Sequence, residues 1–182
     1  HEFTHIYHEM CSDASRSLES AEELGSGLLL TEVEGVHLEL YSYTPTGGCY
    51  IETPISLRFK HALINVKNTD HKCLLYALAA AKYGHLIVGA KTRPSKYQTY
   101  ISQFKTRNIE FPINMSDIPK FENQNRLNLN IFILHGANMV KPLYVSKAEE
   151  YGERYNLLAV NHPNSQRYHF VAITDLERLL NS

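Results

Sequence analysis

The stretch "NVKNTDHKCLLYALAAAKYG", residues 65–84, decides how the chain is read: a polar, turn-prone run gives way at Cys73 to eleven residues suited to a buried helix. Gly84 just past its end and Lys82 in its last turn are stop signals. A cysteine at such a junction has two readings. Free cysteine is a small hydrophobe that packs into interiors. A helix N-terminus, with unpaired N–H groups and partial positive charge, also stabilises a thiolate and an oxyanion beside it. Asp70 stands three residues earlier, placed as N-cap, which puts Cys73 at the third helical position. As a cap its carboxylate would take the Cys73 N–H and compete with an oxyanion for that donor.

Upstream of this stretch, "DASRSLESAEEL" at 13–24 reads as a polar helix stopped by Gly25, and "GLLLTEVEGVHLELYSY" alternates like strands. "CYIETPISLRF" and "HALINVKN" read as short extended segments around Pro54. Downstream, helices are expected at 96–107 and, capped by Ser116 or Asp117, at 116–125. Then "LNLNIFIL", "VKPLYVS", "YNLLAV" and "YHFVAIT" are strands whose short connectors favour an antiparallel meander, and "DLERLL" is a closing helix. Strands, a buried helix, more helices and a C-terminal antiparallel sheet make an α+β arrangement. The expected division is an N-terminal arm over 1–25 and one domain over 26–182.

With 182 residues and 43% hydrophobic content, the chain can bury one core, or a core plus a small subdomain. Eighteen basic against nineteen acidic side chains leave a net charge of -1, without the basic excess of a phosphate-tracking surface, so nucleic acid is not the expected partner. No run nears the roughly 18 apolar residues of a membrane span, and the first residues lack the pattern of a signal peptide. Cys11, Cys49 and Cys73 are too few and scattered for a disulfide framework and form no C-x-x-C pair. A soluble protein of a reducing compartment, cytoplasm or nucleus, is expected. "HEFTH" at 1–5 matches the H-E-x-x-H zinc motif, yet it opens the chain with no preceding helical turn and reads as an expression remnant. No dinucleotide fingerprint or phosphate-cradling glycine loop occurs, so neither metal nor cofactor is expected.

A cysteine nucleophile needs an imidazole within reach and donors for the oxyanion. Of ten histidines, His169 in "RYHFVAIT" is the best placed, because a C-terminal sheet can face the start of the helix. His71 is two residues from the thiol, a spacing that does not face it on a helix. His135 and His162 sit in or next to turns.

The segment "DHKCLLYAL" is similar to the D-x-x-C-[LF]-[FY]-x-[AS]-[LI] signature of ovarian-tumour-type deubiquitinases, and its order with "YHFVAITDLERLL" resembles papain-like cysteine peptidases. More closely, residues 26–180 resemble proteins of large eukaryotic transposons associated with viral tegument-like deubiquitinases. The blocks carrying this include "GGCYIETPISLRFKHALINVKN" and "IEFPINMSDIPKFENQN". The resemblance implies a papain-like fold, Cys73 as nucleophile, His169 as general base, and an oxyanion site helped by the Asp70 loop with Asn68 or Asn65. Two departures stand out. Lys67 occupies the place of the papain-type glutamine, and Arg167 that of the acidic residue two before the tegument histidine. For the group that orients the imidazole, a papain-like reading offers Asp175, which shares strand parity with His169. Six residues of straight strand span roughly 20 Å, however, and Asp175 is also a natural helix cap. Asn161 and Asn164 are further candidates. The implied activity is removal of ubiquitin, or a ubiquitin-like modifier, from lysine by a monomeric enzyme acting on ubiquitin or polyubiquitin chains. The alternatives are a peptidase processing proteins of a mobile element or virus, and a non-catalytic ubiquitin-binding module.

Overall fold

In the computed structural model the chain divides into two units, residues 1–41 and 42–182. The described residues are 8, 11, 12, 50–135, 139–147, 151–161 and 168–181. In the first unit these are His8, Cys11 and Ser12, all in helical backbone. The helix expected over 13–24, the strands expected over 27–43 and a boundary at residue 25 lie outside them.

The second unit is α+β. Strands β1 (Leu63–Ile64), β2 (Asn128–His135), β3 (Met139–Val145), β4 (Arg154–Asn161) and β5 (Tyr168–Ile173) form one sheet in the order β1-β5-β4-β2-β3. The expected meander is corrected in one respect. β2 and β3 form an antiparallel hairpin, but the chain then passes to the other side of β2, so β2 and β4 run parallel while β4–β5 and β5–β1 are antiparallel.

Helix α2 (Cys73–Tyr83, after α1 at Ile55–Arg58) matches the sequence expectation. Its residues Cys73 to Ala80 are all buried, so it is apolar on every side, as a helix enclosed between two layers must be. One layer is the sheet face that presents Leu129, Ile131, Leu157, Ala159 and Phe170; the other is the segment carrying Ile109, Ile113, Ile118 and Phe121. Tyr97 and Ile87 close the far end against Tyr76 and Ala80. Each fully buried leucine contributes about 1.5–3 kcal/mol, and α2 buries Leu74, Leu75 and Leu78. Gly84, the residue after it, has right-handed backbone and no room for a side chain: a Cβ there would stand 2.3 Å from the Ala80 carbonyl oxygen and 2.8 Å from Ile64 Cδ1.

The opposite sheet face carries Leu158, Val160, Val171 and Ile173, covered by Leu57 of α1 and Leu179 of α5 (Leu176–Leu180). Alternation along β5 is therefore strict: Phe170 and Ala172 face α2, while Val171 and Ile173 face the α1–α5 side. Pro54 starts α1 where an extended segment was expected, since a proline suits the first positions of a helix. Instead of one helix over 96–107, the chain makes a 3-10 turn at Pro94–Lys96 and the short α3 (Gln98–Ile101). The helix expected at 116–125 is α4 (Ile118–Asn125), preceded by a 3-10 turn at Met115–Asp117, and neither Ser116 nor Asp117 caps it by a side-chain bond. Buried Glu122 on α4 accepts the Leu129 N–H at 2.6 Å and the Tyr144 hydroxyl at 2.6 Å, tying α4 to β2 and β3.

Candidate active site

His169 has parity with Val171 and Ile173, and it is 1% exposed. Asn65, just past β1, has parity with Leu63 and meets it there: Asn65 Oδ1 lies 2.8 Å from His169 Nε2. The amide's orientation is fixed from behind, because Asn65 Nδ2 donates to the Ile51 carbonyl and to Thr53 Oγ1, both at 2.9 Å. A main-chain carbonyl only accepts, so the nitrogen must face Ile51 and the oxygen must face the ring. The ring then carries its proton on Nε2 and a bare lone pair on Nδ1. That Nδ1 is buried and has no hydrogen-bond partner. Tyr50 lies edge-on to the imidazole, with centroids 5.8 Å apart, and carries the Lys67 ammonium over its own ring at 5.6 Å.

Cys73 approaches the same strand from the other side. It is buried, and the backbone N–H of Phe170, the residue after His169, is near enough to favour its ionised form against burial. β1 pairs only with Ala172 and Ile173, so among the described residues the earlier part of that β5 edge has no β-partner there. Thiol and imidazole thus come from opposite faces to one stretch of β5. No hydrogen bond joins them at rest.

The electrostatics differ from the sequence expectation of a thiolate favoured by its position. Burial pushes the Cys73 thiol up to about 11, outweighing the N–H groups of Phe170, Leu74 and Cys73 itself, while the Asp70 charge pushes the same way as burial. Burial also lowers His169 to about 4. Each group alone is held neutral, because a lone charge in an apolar surround is costly.

The other expected site residues take different places. Asp70 is not the N-cap: α2 begins at Cys73, with Lys72 before it and no side-chain cap. The Asp70 carboxylate instead accepts from Lys72 N–H at 3.2 Å and from Asn68 Nδ2 at 3.0 Å, folding the loop on itself. The first-turn N–H groups are thereby left to the thiol side. The Nδ2 of buried Asn68 donates to Asp70, and that of Asn65 to Ile51 and Thr53, so both amide donors expected at an oxyanion are engaged elsewhere. Asp175 is corrected as the imidazole partner. Its Oδ1 accepts the Arg178 N–H at 2.8 Å as the cap of α5, and it makes no hydrogen bond to His169. Asn161 ends β4, exposed, opposite Tyr168. Asn164, His162 and Arg167 lie outside the described residues.

The partner of His169 is no neighbour in sequence: it stands 104 residues earlier. A signal was present: an asparagine inside "LINV" places a four-bond polar group within an apolar strand, and such a group needs partners. Tyr50 and Thr53, which frame the ring and the amide, carried none. Among the described residues no group of three or more His, Cys, Asp or Glu could hold a metal, and no helix is long and apolar enough to cross a membrane. Comparison with known proteins finds no matching family model, no matching curated protein and no matching solved structure.

Proposed function

We propose that the chain is a papain-like cysteine isopeptidase that removes ubiquitin, or a ubiquitin-like modifier, from lysine. The observation that carries the reading is the tautomer of His169. Asn65 presents an acceptor to Nε2 and leaves Nδ1 as a buried base on the strand segment whose next N–H lowers the Cys73 thiol against its burial. The choice of ubiquitin rests on the sequence resemblance.

In this mechanism the resting pair is neutral, and thiol–imidazole contacts are often long before substrate enters. In the proposed step, binding brings Cys73 and Nδ1, which stand on opposite faces of β5 at rest, within reach; the Cys73 proton then passes to Nδ1, and the opposite charges so created stabilise each other where neither would stand alone. The thiolate attacks the terminal glycine carbonyl, and the tetrahedral oxyanion faces the first-turn N–H groups of α2. Nδ1–H then protonates the departing lysine amine, leaving a thioester. Water, giving its proton to the same nitrogen, releases the modifier.

The test is reaction with ubiquitin bearing a C-terminal electrophile, scored by mass on native protein, Cys73→Ala and His169→Gln. Labelling of the native protein alone is expected. A second reading, a module that binds ubiquitin without turnover, is favoured by the raised thiol and the open Nδ1. Binding of ubiquitin without labelling at any pH would select it. Labelling with no cleavage of lysine-linked ubiquitin, but with cleavage of proteins of a mobile element or virus, would select a processing peptidase.

A further inference from the structure

At the other end of α2 from Cys73 a cavity of about 670 Å³ opens between the helix, the start of β4 and the end of β5. We propose that it binds a small molecule carrying a phosphate-type anion on an apolar body. Lys91, Arg154, His61 and His85 line it, and no acidic side chain does. All four are exposed, and among the described residues neither Lys91 nor Arg154 has an acidic partner. The nearby cation Lys82 is different, being taken up by Glu153. Two permanent cations and two protonatable rings around one opening suit a dianion, and a guanidinium beside an ammonium offers forked and point-like donors to several oxygens.

The floor has another character. Ile64, Ala80 and Ile173 are buried hydrophobics, and Gly84 lies against Ile64 with no space for a Cβ. Tyr155, half-buried, forms part of the wall. The volume falls in the range of small-molecule sites, and a pocket with an apolar base and a few polar groups at one side orients an amphipathic ligand. The C-terminal end of α2 opposes an anion weakly, since its dipole is negative there. The basic set outnumbers it. Two rim positions, His61 at φ 50° and Ala90 beside Lys91 at φ 47°, hold left-handed backbone that non-glycine residues rarely adopt.

The test is titration calorimetry at fixed ionic strength with phenyl phosphate, inorganic phosphate and phenol as probes. Phenyl phosphate is expected to bind at least several-fold more tightly than inorganic phosphate, and phenol not measurably. Lys91→Gln/Arg154→Gln should weaken phenyl phosphate at least tenfold, while Lys96→Gln/Arg107→Gln, exposed cations outside the cavity, should leave it unchanged. Equal affinity for the two phosphates, an equal loss in both double variants, or no binding by the native chain would overturn the proposal. Should the first double variant fail to fold, Arg154→Gln alone must still weaken binding at least threefold. No arm depends on Cys73.

Discussion

Replacing Asn65 by alanine removes three hydrogen bonds at once, and their unequal burial determines the cost. The Ile51 carbonyl and Thr53 hydroxyl are half-buried and can turn to water, so each loses less than about 1 kcal/mol. The Nε2–H of His169, on a residue 1% exposed, is left unpaired, which costs about 1–3 kcal/mol. The expected total is about 2–4 kcal/mol, or a melting temperature lower by roughly 4–16 °C for a chain of this size. The chemical effect is separate: without the amide the ring is free to move its proton to Nδ1, where it cannot serve as base. Labelling of Cys73 by the ubiquitin electrophile, measured well below the melting range, should fall at least a hundredfold while ubiquitin binding persists. Thr53→Val serves as internal comparison, because it loosens the amide without freeing the ring, and it should cost less than tenfold. If Asn65→Ala labels at the native rate while melting lower, Asn65 is a structural residue and the tautomer argument fails.

Acid stability follows from His169. Its folded value, about 4, lies below the ordinary 6.5, so between these pH values the unfolded chain binds more protons. Stability is therefore full above about pH 6.5 and declines by about 3 kcal/mol on the way to pH 4. Denaturant titrations across that window should show the slope, and His169→Gln should flatten it. Asp175→Ala should cost about 1 kcal/mol through loss of the α5 cap, with Cys73 labelling unchanged; a labelling defect would restore Asp175 to the site. Gly84→Ala should destabilise by about 1–3 kcal/mol or more, because the added carbon meets main chain and not a flexible side chain; an unchanged urea midpoint would refute it.

What the residues revealed, and what they hid, divides along the range of the forces involved. α2 was legible to its last residue because eleven apolar and small residues between turn formers leave no other structure. The four C-terminal strands were legible as short β-type runs between turn segments. Their order was not, since a parallel β2–β4 pair depends on which side of β2 the chain returns, and periodicity does not record that. Asp70 shows the limit of local rules: it stood at a cap position, yet Asn68 and Lys72 bind it first and the helix starts later. Cys73 and His169 could be picked as chemical types. Their burial, which raises one and lowers the other, arises only when α2, β5 and the 50–53 segment close together.

One backbone bond acquires a wider meaning from where it sits. The Lys67 N–H is held by the Thr92 carbonyl at 2.9 Å, midway along the arc that delivers both the amide and the sulfur. Thr92 is the chain neighbour of Lys91, on the rim of the basic cavity. That one bond therefore ties the segment carrying Asn65 and Cys73 to the residue next to the cavity rim. Removing that bond would take away one main-chain tether of the segment between the amide and the sulfur.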